Sequence, residues 1–175
     1  MKWLKGQART GTVNKRPTYR DVNMGHALNA LDNSPNAIIR EISSRAKEQL
    51  KDIGFDFNKR IQALGQYSRY AGGRETITLK GDNYWNEKTL AHEIMHGFAV
   101  TSMKYPTEEQ KPAVKAINDL FNAVKNEPSL KQGPFPWGEY GLKDVDEFVA
   151  EGLSNPEFQY KLSKIKYENT TAWVS

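Results

Sequence analysis

The sequence predicts an α+β domain, and three features of its patterning carry that expectation. Apolar residues recur at spacing four through residues 34–53, alternate at spacing two through much of 55–81, and return to helical spacing beyond residue 87. Helices are therefore expected around a small, mostly antiparallel sheet of about three strands, with about four to six helices in all. At 175 residues, 38% hydrophobic and 26% charged, the chain suits one folded core and not a disordered segment.

Residues 1–33 are weakly patterned and form a basic N-terminal arm. Met24, Leu28 and Leu31 suggest a short helix in it, and His26 beside them, with no spaced partner, reads as structural. The folded domain is expected over residues 34–167. Ser34 is a candidate cap and Pro35 suits the first helical position, with Ile38, Ile42, Ala46 and Leu50 as the buried stripe. Ile53 and Gly54 are expected to end that helix, the glycine taking a left-handed conformation.

Phe55, Phe57, Lys59, Ile61 and Ala63 then alternate as a strand would. Tyr67–Tyr70 and Glu75–Lys80 flank Ala71-Gly72-Gly73-Arg74, a hairpin turn. Trp85 is expected to pack on Leu90 and Asn86 to cap a helix that starts near residue 87. Thr107 and Gln110 make a capping box for the next helix, whose stripe is Val114, Ile117, Leu120, Phe121 and Val124. Pro128 closes it, and residues 127–143 form a long loop rich in proline and aromatics. A helix over about 144–154 follows, and Asn155-Pro156 restarts another with Phe158, Leu162 and Ile165. Residues 168–175 form a tail that reads as a helix start cut short, so the natural chain is expected to continue.

Composition narrows the chemistry. The chain has no cysteine, which excludes disulfides and thiolate ligands. No apolar run approaches the ~20 residues of a membrane span and no signal-peptide core is present, so a soluble protein is expected. The net charge of +4 is unevenly spread: residues 1–20 carry six basic residues and no acid, leaving the remainder at −2. A basic arm can touch nucleic acid, but with few aromatics in it a solvated leader is the preferred reading.

The candidate functional stretch is His92-Glu93-Ile94-Met95-His96. On a helix, residues four apart lie one above the other, so His92 and His96 offer two imidazoles to one zinc ion while Glu93 reaches its water. The surrounding Leu90, Ala91, Met95, Phe98, Ala99 and Val100 leave the helix almost without a polar side, as in a buried helix. A catalytic zinc takes three protein ligands. Ala99 and Ser102 stand where a third-histidine motif needs glycine and histidine, so a carboxylate is expected. Glu147 is the preferred one and Asp144 and Asp146 are rivals. Glu151, one turn after Glu147, suits a hydrogen bond to a ligating imidazole. Taken alone, Glu147 and Glu151 also fit a solvated helix face.

Tyr140-Gly141 followed by Glu147-Phe148-Val149-Ala150-Glu151 resembles the glutamate-zincin pattern of the anthrax lethal factor protease domain and the bacterial Pro-Pro endopeptidases. There, H-E-x-x-H is followed by a tyrosine and, seven residues later, by the glutamate of an E-F-x-A-E run; Tyr140 and Glu147 have that spacing. Ala91–Gly97 with Asp146–Phe158 also resembles metallopeptidase-like domains of polyvalent proteins from bacteriophages and mobile elements. The likeness covers roughly residues 55–165, and Gly152 departs from the alanine usual in the lethal factor group. It implies a zincin-like fold with zinc (Zn2+) on His92, His96 and Glu147, Glu93 as general base, Tyr140 as donor to the oxyanion and Glu151 behind the ligands. It further implies a zinc metalloendopeptidase acting on a peptide or protein substrate, cytoplasmic or phage-associated.

The strand Thr76-Ile77-Thr78-Leu79, as an exposed edge, would bind that substrate by backbone pairing. Two rival readings are a non-cleaving zincin-like assembly module and a nucleic-acid-associated anti-defence protein using the basic arm.

Overall fold

The computed structural model describes residues 22–81, 87–131, 140–168 and 170–172. The basic arm through residue 20, Trp85 and Asn86, and residues 132–139 of the 127–143 loop lie outside the described residues. The chain divides into two compact units, Met1–Phe98 and Ala99–Ser175.

In the first unit, helix α1 (Met24–Leu31) is capped by Asn23, whose side chain accepts from the His26 amide at 3.1 Å. The Asn23 amide donates in turn to Nδ1 of His26 at 3.4 Å, so this histidine completes a cap. Helix α2 (Ala37–Leu50) starts later than the sequence suggests. Asn36 is its cap, accepting from Ile38 at 2.9 Å, and Pro35 precedes the helix. Ser34 is buried one step earlier, where its hydroxyl accepts from the Asn36 amide and donates to the Glu87 carboxylate. Asparagine and serine cap about equally well, so the choice between them falls to these longer-range bonds. Ile39, Ile42, Ala46 and Leu50 make the buried stripe, with Ile38 only half-buried.

Gly54 does not end α2 in a left-handed turn. It opens strand β1 (Gly54–Phe57), where a Cβ would lie 2.9 Å from the Thr76 hydroxyl, so close approach of strands explains the glycine. Strands β2 (Gly65–Arg69) and β3 (Glu75–Leu79) complete a sheet of order β1-β3-β2. β2 and β3 form the expected hairpin, with Gly72 and Gly73 at φ +90 and +82 in its turn. β1 runs parallel to β3, with Phe55 opposite Ile77, so the sheet is mixed where a mostly antiparallel one was expected. The alternation seen as far as Ala63 is not a longer strand: β1 stops at Phe57, and residues 58–64 turn back toward β2.

The exposed edge expected at Thr76–Leu79 is not there. β3 is the central strand, hydrogen-bonded on both sides, and Ile77 and Leu79 are fully buried. Thr76, Ile77, Thr78 and Leu79 therefore offer no free edge to a substrate. Helix α3 (Glu87–Lys104) follows, starting where the pattern put it, with Leu90, Ala91, Ile94 and Met95 buried.

In the second unit, Thr107 and Gln110 form the expected reciprocal cap, at 3.0 and 3.4 Å, one turn ahead of α4 (Lys111–Val124). Pro128 opens a short helix, α5 (Pro128–Lys131). Then come α6 (Val145–Ser154), α7 (Pro156–Leu162) and a small β4–β5 pair (Lys166–Tyr167 with Thr170–Thr171). Val124, Leu130, Phe148, Phe158, Leu162 and Ala172 form the core, with Phe148 packed between Phe121 and Phe158. Seven helices are present among the described residues, one beyond the expected range, because the four-residue α5 is too short to leave a period.

Candidate metal centre

Helix α3 carries the centre's first three residues. Its apolar neighbours hold it in the interior, and His92 and Glu93 are each only 6% exposed, with His96 half-buried. The helical four-residue step brings Nε2 of His92 and Nε2 of His96 to 3.1 Å, the rings tilted 78° to each other. Two nitrogens bound to one tetrahedral zinc at ~2.0–2.1 Å lie about 3.3 Å apart, so the pair already has the spacing of adjacent ligands.

Glu147 stands in the first turn of α6. The Asp144 carboxylate caps that turn, accepting from the Glu147 amide at 2.9 Å. Asp144 is thereby committed to the cap and is exposed, which disfavours it as a ligand. Glu147 is 7% exposed and Glu151 2%, so this face of α6 is buried and not solvated. His92, His96 and Glu147 make a group whose ligand atoms all lie within 4.8 Å of one another, the one such group of three among the described residues.

The donor set fits a borderline-soft divalent ion such as zinc: two imidazoles and a carboxylate, largely buried.

Glu151 is fixed within α6 and α7. Nδ2 of Asn155 donates to its Oε2 at 2.5 Å, while Oδ1 of Asn155 accepts from the Glu157 amide at 3.1 Å as the cap of α7. The cap decides which way the Asn155 amide faces, and so gives Glu151 a donor. Gly141 is buried against the stem of the same side chain: a Cβ there would meet Cβ of Glu151 and Cζ of Phe158 at 3.1 Å. Tyr140, next to it, is 42% exposed at the start of the described segment.

Two neighbours of the centre escaped the sequence patterns. Asn155 was legible as a helix start, not as the partner of Glu151. Gly65, the first residue of β2, lies against the Glu93 side chain. The one available signal was that an isolated glycine in a strand marks a close approach.

On the same sheet face, Tyr67 packs beside Gly97 of α3. Burial first, then the Glu75 carboxylate, push its phenol up to about 12. Its hydroxyl is enclosed and makes no well-formed hydrogen bond among the described residues.

No known protein family matches this chain, and no curated protein or solved structure matches it either.

Proposed function

We propose that the chain is a zinc-dependent metalloendopeptidase with a zincin-like fold. The observation that carries this reading is the convergence of the His92, His96 and Glu147 ligand atoms within 4.8 Å, with Glu93 buried in the same helical turn as the histidines.

When bound, zinc supplies Lewis acidity, polarising a carbonyl and bringing the pKa of water toward ~7. The remaining work belongs to the chain. His92 and His96 would hold the ion with neutral imidazoles, and Glu147 would complete the set with one carboxylate oxygen. Glu93, between the two histidines, takes the proton of the attacking water at its carboxylate and returns it to the leaving amine, a role typically worth about 10²–10⁴-fold. Tyr140 is the candidate donor to the oxyanion, worth about 10²–10³-fold. Glu151, oriented by Asn155, would accept from a ligating imidazole and fix its tautomer.

Substrate binding moves from β3 to β2. Among the described residues β2 pairs only with β3, which leaves its other edge for an extended peptide.

The test is a broad peptide-library cleavage profile, run with and without chelator, on the wild type and Glu93→Gln. Wild-type cleavage should stop with chelator, and the variant should keep its metal while losing about 10²–10⁴-fold in rate. A wild type that holds metal and cleaves nothing would make the chain a binding module; full activity in Glu93→Gln would remove the assigned base.

A further inference from the structure

We propose that Gly65 is a positioning residue for Glu93: the missing side chain at the start of β2 is the slot in which the Glu93 carboxylate rests. This rests on the peptidase reading for its catalytic consequence, though not for its geometry.

A Cβ built on Gly65 would lie 2.6 Å from both Cγ and Oε1 of Glu93 and 2.9 Å from Cδ. Carbon atoms in contact stand ~3.5–4.0 Å apart, so an alanine and the present Glu93 conformation exclude each other. Space is the reason for this glycine, since its φ is not positive and any residue can adopt its backbone conformation.

The neighbouring contact makes the contrast. Glu93 and Gly97 are four apart on one face of α3, and Gly65 and Tyr67 are two apart on one face of β2. Each glycine faces the other element's side chain, for a Cβ on Gly97 would come within 3.3 Å of Tyr67 and 3.5 Å of Leu50 and Ile53. Around Gly97 the neighbours are core side chains with nowhere to go. Opposite Gly65 the obstacle is a single side chain, Glu93, met from Cγ outward, so it must change rotamer to make room. An alanine at 65 is therefore expected to move the Glu93 side chain from Cγ outward and, with it, the carboxylate. Glycine is also the less favourable residue in a strand, so stability gives no reason for it here.

The experiment compares wild type, Gly65→Ala, Glu93→Ala and the double variant, full-length and zinc-loaded. In Gly65→Ala we expect unchanged zinc stoichiometry and KM, with kcat down by about 10²-fold or more. In urea unfolding the two substitutions should be non-additive, the alanine at 65 being better tolerated once Glu93 is truncated. A kcat within about threefold of wild type overturns the proposal. So do loss of zinc or of the fold in Gly65→Ala, which would make the glycine a packing residue, and additivity in the unfolding cycle. The cycle needs no turnover: a wild type that cleaves nothing refutes the peptidase reading, while the steric pairing is still decided by unfolding.

Discussion

Tyr67 and Glu93 sit on facing sides of the same helix–strand contact, and each depends on a glycine opposite it. Tyr67 makes a prediction of its own. Its folded pKa of about 12 lies above the ~10 of an unfolded tyrosine, so the folded state holds the phenolic proton more tightly. The resulting stability is fully present below pH ~10 and is lost as pH rises toward ~12. Urea midpoints followed across that window should fall, and Tyr67→Phe should flatten the decline; an equal decline in the variant would assign it to other groups. The histidine motif was legible because its chemistry is local, two imidazoles one helical step apart. Gly65 was not, because what gives it meaning is a side chain on another element.

Among the elements, the junction of α6 and α7 turns on one side chain. Asn155 serves both helices, capping α7 with its oxygen and holding Glu151 with its nitrogen. Asn155→Asp keeps a good cap but turns a donor facing the buried Glu151 carboxylate into a second acceptor. Losing a buried, charge-assisted hydrogen bond should cost about 2–3 kcal/mol in urea unfolding at neutral pH. Wild-type stability in that variant would mean Glu151 is held otherwise.

The same scale explains what the sequence could and could not disclose. The β2–β3 hairpin was legible from Gly72 and Gly73, because positive φ is a local demand with few residues to meet it. The parallel partner of β1 was not, since alternation tells which face a strand buries and never which strand lies beside it. That gap put Thr76–Leu79 at an edge when they are the middle of the sheet. The two-residue strands β4 and β5 are too short to carry any period.

At the scale of the whole molecule, the α+β class and most helix positions follow from the change of apolar period, while division into two compact units does not. No helix among the described residues is long and apolar enough to cross a membrane. A catalytic ion would link sequence, fold and proposed chemistry, because its ligands are drawn from two helices far apart in the chain, α3 and α6. The most direct measurement is therefore the metal content of the purified full-length protein, by elemental analysis, for the wild type, His96→Ala and Glu147→Ala. About one zinc per wild-type chain is expected, removable by chelator, and its loss or at least a weakening of about tenfold in either variant. A wild type that binds no stoichiometric metal, or variants that hold zinc as tightly as the wild type, would contradict the proposed zinc site.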